Sequence, residues 1–265
     1  MKKKNKELWI IKAGSQMVID GGPMLIRSWM NQVDELAKSG NIDIIWVTSG
    51  AIASAKKISG KSALNIAEKQ ALSAIGQPHV IHQYLVALGE RGRKGAQILL
   101  TADDIASAKR RRHLSRSLRT LLKWKYLPIL NENDAVSIEE IQFGDNDRLS
   151  ALVAIHMKAS RLILLTDVDG LYDKDPKRLK KNETANLIPH LTSVKASLLK
   201  SLSKSSKSEM GKGGMYSKLL AAKMVNSKGI TCHLVKGDLP NALIDIASLP
   251  SGTRIDPKSK KGTLR

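Results

Sequence analysis

PILNENDAVSIEEIQFGDND, residues 128–147, sets two clusters of Asn and Asp at the mouths of apolar runs. Residues 127–130 are apolar and end in polar ones, the pattern of a short buried strand. In open α/β sheets ligands bind beyond the carboxyl ends of the strands. Asn131, Glu132, Asn133 and Asp134 therefore stand where amides and carboxylates can hold an ammonium group through charge-assisted bonds, and Asp134 is the first choice for that role. Ten residues on, Gly144, Asp145, Asn146 and Asp147 make a second polar turn, and the apolar spacing of residues 149–155 predicts a helix behind it. A helix start attracts anions. Either cluster alone reads as an N-cap or an Asx turn, but two clusters flanking one β-like segment favour a site. Residues 136–143 alternate imperfectly and suggest a hairpin-like excursion.

Working outward, the 265 residues suffice for one large α/β domain or two small ones, and the 42% hydrophobic and 26% charged fractions fit a globular protein. No apolar run is long enough to cross a bilayer, and the basic N-terminus lacks the apolar stretch of a signal peptide. A cytoplasmic, membrane-free protein is the expectation. The single Cys232 leaves no intrachain disulfide and no cysteine-rich zinc site. His79, His82 and His113 lack metal-site spacing and read as surface or packing residues.

The net charge of +20 raises nucleic acid or phosphate as partners. The basic residues cluster in segments between nearly uncharged apolar runs, and with one Phe and four Tyr stacking platforms are scarce, so a solvated Lys-rich surface is preferred and nucleic acid is not expected.

Other strand ends repeat the pattern of the opening stretch. Residues 8–11 run into Lys12, Ala13, Gly14 and Ser15, where a lysine and a small-residue turn could cradle a phosphate. Residues 23–37 have helical spacing, and residues 42–47 read as a strand ending in a small, hydroxyl-bearing turn at residues 48–53. Residues 65–88 look helical with an interruption at Gly76, Gln77 and Pro78. Residues 96–100 read as a strand followed by a capping sequence from Thr101, and residues 109–119 as a basic helix with Leu114 and Leu118 inward. Residues 161–165 form the next strand, ending in Thr166 and Asp167; residues 193–202 read as a helix and 203–208 as a flexible basic segment. Gly211, Lys212, Gly213 and Gly214 then lead into a helix with Lys218 in its opening turn, a phosphate-binding arrangement on physical grounds. Residues 230–235 are a late strand, 239–249 a short helix, and 252–254 end the folded part. Strands alternating with helices argue for a mostly parallel sheet between helical layers.

Together these residues resemble the amino acid kinase family, in particular its glutamate-phosphorylating members. The motifs are residues 11–15 (IKAGS), 47–52 (VTSGAI), 129–136 (ILNENDAV), 144–147 (GDND), 164–167 (LLTD), 170–172 (GLY) and 211–215 (GKGGM) with Lys218. The resemblance implies a three-layer αβα sandwich with a mostly parallel central sheet, over one kinase domain at residues 1–257 with a basic tail at 258–265. It implies transfer of the γ-phosphoryl group of ATP to the γ-carboxylate of L-glutamate, with Mg²⁺, as the opening step of proline biosynthesis. Lys12 and Lys218 would hold the phosphates, and Asp147 would hold both lysines. Ser49, Asp134 and Asn146 would bind glutamate. Thr166, Asp167, Lys212, Gly213, Gly214, Met215, Tyr216, Ser217 and Lys218 would bind the nucleotide. A homo-oligomer and feedback inhibition by proline are further family expectations. Many members carry an extra C-terminal domain resembling PUA domains, and this chain reads as the core alone. It departs from the family pattern with Ala13 in place of a larger aliphatic residue and with Lys212 where Thr is common; Lys212 adds positive charge beside the phosphates. Family members acting on acetylglutamate, aspartate, carbamate, UMP or isopentenyl phosphate are the competing enzymes, and Asp134, suited to a free ammonium, argues against some of them. A basic nucleic-acid-binding module explains the charge but leaves Lys12, Asp147 and Lys218 without a purpose.

Overall fold

The computed structural model describes residues 6–63, 65–137, 146–176, 179, 183–205, 214–248 and 252–257. In chain order the elements are β1 (Glu7–Ala13), α1 (Ser15–Lys38), β2 (Ile42–Val47), α2 (Ala51–Ser59), α3 (Ile66–Gly89), β3 (Lys94–Leu100), α4 (Ala102–Ala106), α5 (Ala108–Lys123) and β4 (Tyr126–Glu132). They continue as α6 (Asn146–Met157), β5 (Arg161–Thr166), β6 (His190–Leu191), α7 (Ala196–Ser205), α8 (Met215–Asn226), β7 (Thr231–Lys236), α9 (Ala242–Ser248) and β8 (Thr253–Ile255). Among the described residues one sheet runs β3-β4-β2-β1-β5-β7-β8-β6, parallel except where β7 meets β8.

Side chains on successive strand residues face opposite sides, and the core divides accordingly. Ile10, Ile45, Val47, Leu162 and Leu164 pack under α5, α6 and α8. Trp9, Ile11, Ile44, Trp46, Ile163 and Leu165 pack under α1, α3 and α9. The result is the expected three-layer sandwich. The chain leaves β1 toward β2, β3 and β4, then crosses back through α6 to β5 on β1's other side. That reversal opens a crevice over the carboxyl ends of the central strands. Among the described residues no helix is long and apolar enough to cross a membrane.

Several boundaries differ from the sequence expectations. β1 continues through Lys12 and Ala13, so the lysine belongs to the strand and not to the turn behind it. β4 likewise takes in Asn131 and Glu132, both buried. α1 begins at Ser15 and bends at Gly22, whose φ of 54° is non-helical and precedes Pro23. The interruption expected at Gly76, Gln77 and Pro78 is absent: α3 passes through all three. Gly76 lets the helix backbone lie against α2, where a Cβ would stand 1.8 Å from the Ala51 carbonyl oxygen. Residues 253–255 do not merely end the fold but form a strand, and β6 was not foreseen. Short strands with two or three residues carry no periodicity to detect. α7 starts three residues later than expected and takes in residues 203–205 of the segment read as flexible. The excursion expected at 136–143 lies mostly outside the described residues.

Candidate active site

Lys12 shares the parity of Ile10 in β1, so its side chain points to the face covered by α6 and α8. There it meets Asp147, in the first turn of α6, with Nζ 2.6 Å from Oδ1. Lys218, in the first turn of α8, approaches the other oxygen: Nζ lies 3.3 Å from Oδ2. The Ser217 hydroxyl donates to the same Oδ2 at 2.9 Å. Asp147 is wholly buried, and the side chains of Lys12 and Lys218 are only 3% and 7% exposed. Two ammonium groups converging on one carboxylate make this corner of the crevice electropositive, which favours an anion at its mouth.

The surroundings suit that anion. Gly14, the N-cap of α1, follows β1, and a Cβ on it would stand 3.8 Å from Lys12 Nζ. The backbone amide ends of α1 and α8 both open beside the lysines, and helix starts favour anions. Behind the site Cys232 is buried, and burial first, then the Asp147 charge, pushes its thiol far up, so it stays neutral packing.

A second polar group lies at the carboxyl ends of β2 and β4. Asn146 donates through Nδ2 to the Thr48 carbonyl at 2.8 Å and to Asn131 Oδ1 at 2.7 Å. Asn131 Nδ2 donates to Gln77 Oε1 at 3.0 Å, and Gln77 Nε2 donates to the Glu132 carbonyl at 2.9 Å. These bonds fix the orientation of each amide in turn. Asn146 is next to Asp147 in α6, so the amide chain and the lysine–aspartate cluster are joined by one helical turn. Thr48 also donates to Tyr84, whose hydroxyl burial pushes up to about 12.

The expected residues therefore fall into four groups. Lys12, Asp147, Ser217 and Lys218 are in direct contact, with Asn146 adjoining them. Ser49 and Asp134 lie half-buried in the turns after β2 and β4, at the same end of the sheet. Thr166 is buried at the end of β5 and donates to Asp167 Oδ1 at 3.2 Å. Gly214 caps α8, Met215 and Tyr216 are half-buried in its first turn, and Lys212 and Gly213 lie outside the described residues. Gln77 enters the site beyond the expected set, and Asn131, read from the sequence as a candidate for holding an ammonium group, is bonded to Gln77 and Asn146. Asn131 stood in the opening stretch, whereas Gln77 sat inside a breaker-like tripeptide that hid its role.

Comparison with known proteins identifies the family and the fold. The family model described as "Amino acid kinase family" matches residues 7–236. A glutamate 5-kinase of Caldanaerobacter subterraneus subsp. tengcongensis is 37% identical over 248 residues, covering 90% of this chain and 64% of that protein. A glutamate 5-kinase of Thermus thermophilus is 41% identical over 225 residues, covering 84% of this chain and 59% of that protein. The chain thus spans less than two thirds of the length of these relatives. Among solved structures, an isopentenyl phosphate kinase of T. acidophilum superposes with a TM-score of 0.64 at 17% identity, over 94% of this chain and 99% of that one. A carbamate kinase of Giardia does so with a TM-score of 0.65 at 14% identity, over 95% and 99%. These two share the fold. With the matched model spanning β1 to β7 and a buried lysine–aspartate–lysine cluster at the sheet's crevice, the chain belongs to the amino acid kinase family.

Proposed function

We propose that this chain transfers the γ-phosphoryl group of ATP to the γ-carboxylate of L-glutamate, giving L-glutamyl 5-phosphate, the first step of proline biosynthesis. The observation that carries the proposal is the pair of buried lysines converging on Asp147 beside the Asn146–Asn131 amides. The two curated relatives, both glutamate 5-kinases, support glutamate as the acceptor.

The chemistry brings one anion against another, so positioning and charge neutralisation supply most of the catalysis. Lys12 and Lys218 neutralise the transferring phosphoryl oxygens as charge builds, while Asp147 and Ser217 keep Lys218 aimed. No general base is required, because a carboxylate with a pKa of about 4 is ionised at neutral pH. Ser49, Asn146 and Asp134 hold the amino acid, with Asp134 facing its ammonium group. Thr166, Asp167 and the segment 212–218 hold the nucleotide. Both Asp147 oxygens are engaged by lysines, so the donor set fits a phosphate anion better than a bare cation. Mg²⁺ would arrive with the nucleotide, held chiefly by phosphate oxygens and water, and supplies further charge neutralisation. The same reading makes the protein a cytoplasmic homo-oligomer restrained by proline.

The test is ADP release from Mg-ATP with L-glutamate, N-acetylglutamate, aspartate and UMP in parallel, with proline titrated into whichever reaction proceeds. Turnover with glutamate alone is expected. Turnover with a different acceptor would keep the phosphate-binding roles and overturn those of Ser49, Asp134 and Asn146.

A further inference from the structure

The proposed kinase site leaves most of the +20 charge without a purpose. At the opposite end of the sheet, by the amino ends of β3 and β4, lies an open cleft of about 400 Å³. A seven-residue strand such as β3 separates it from the carboxyl ends by about 20 Å. The cleft is walled by the end of α1, the turn at residues 91–93 and the turn between α5 and β4. Five cations face it, Lys38, Arg91, Arg93, Lys94 and Lys125, against one carboxylate, Asp34.

That carboxylate is already committed. Arg93 and Lys38 both bridge Asp34, the latter at 2.7 Å. Arg91 remains exposed and donates to the neutral Asn31 Oδ1 at 2.6 Å, and Lys94 stands 5.9 Å over the Tyr126 ring. Three cations therefore face the cleft with no carboxylate bridging them among the described residues. Between them lies Trp124, 65% exposed, whereas Trp9, Trp29 and Trp46 are at most 1% exposed. Glu90 acts on Arg91 only through its charge, without bridging it, and an indole left in water beside such unbridged cations is an unusual combination.

We propose that this cleft binds a nucleoside phosphate, with the phosphate among Arg91, Lys94 and Lys125 and the base against Trp124. A guanidinium and two ammonium groups match phosphate oxygens. Aromatic rings stack on bases of any identity. The volume lies within the range of small-ligand sites, about 300–1,000 Å³. A free nucleotide and the end of a single-stranded nucleic acid share this chemistry, and the experiment separates them.

AMP, inorganic phosphate and a short single-stranded oligonucleotide are titrated separately into the full chain while tryptophan emission is followed. As the exposed indole, Trp124 reports on the cleft. AMP quenches the emission at a concentration about tenfold below that of phosphate. The Lys94→Gln/Lys125→Gln double variant raises the apparent Kd about fivefold or more, with an unchanged circular dichroism spectrum. Tighter binding of the oligonucleotide, with the same sensitivity to the double variant, assigns the source to nucleic acid; the reverse order assigns it to the free nucleotide. No binding, binding indifferent to the double variant, or phosphate binding as tightly as AMP overturns the proposal.

Discussion

Asp147 holds two buried cations, so removing it and removing one of its lysines have unequal consequences. Asp147→Asn leaves both ammonium groups in the interior without their shared carboxylate, and breaking a buried pair in this way costs about 3–5 kcal/mol. Lys12→Met leaves Lys218 and Asp147 still paired one to one. Urea unfolding is therefore expected to show Asp147→Asn losing about 3 kcal/mol or more and Lys12→Met clearly less, while both lower kcat by about 100-fold or more. Equal stability losses would sink the idea that Asp147 is the charge link. At this scale the sequence was informative where chemistry announces itself. A lysine after an apolar run, a glycine-rich approach to a second lysine and two Asn/Asp clusters pointed to Lys12, Lys218, Asn146 and Asp147. Gln77 was silent because its partner Asn131 is 54 residues away and only tertiary packing brings them together. Placement of Lys12 and Asn131 within strands was equally hidden, since a polar residue usually ends a buried apolar run.

Among the elements, the α2–α3 contact is the one that local reading misjudged. Gly, Gln and Pro in succession favour a break by propensity, yet tertiary packing keeps α3 helical through them. The glycine is there for proximity: its missing Cβ gives room to the Ala51 carbonyl. Ala51 opens α2 directly behind Ser49 and Gly50, and Gly50 itself takes a φ of 97°, which favours glycine. Gly76→Ala must therefore push the two helices apart and shift the turn that presents Ser49. Helix propensity alone would make this substitution stabilising by about 1 kcal/mol. Overpacking reverses the sign, and a loss of about 2 kcal/mol or more in thermal or urea unfolding is expected, with a raised KM for glutamate and little change in the KM for ATP. A stabilised variant would show that the helices separate without resistance.

For the whole molecule, charge and burial act together as the pH falls. His233 lies in β7 between β5 and β8 and is 1% exposed, with neither ring nitrogen hydrogen-bonded among the described residues. Burial, then the positive charges of Arg161 and Arg254, lower its pKa to about 4 against the weaker opposing pull of Asp256. An unfolded chain takes up this proton at about 6.5. Between those values the unfolded state binds more protons, so stability declines as the pH drops through that window, by about 3 kcal/mol in all. The charge of +20 works in the same direction, because every added proton increases self-repulsion. The carboxylates of Asp34, Asp104 and Asp256 enter only further down. Their partners outweigh the burial that would raise their pKa values and hold them below the ordinary carboxylate range, so their contribution is lost as the pH falls through those lowered values. Urea midpoints measured at steps from pH 7 to pH 4 should therefore fall before the carboxylates titrate. His233→Leu should flatten that first decline while leaving stability at pH 7 no lower. A decline of the same size in the variant would shift the cause from His233 to the general positive charge, and raising the salt concentration would then restore the lost stability by screening it.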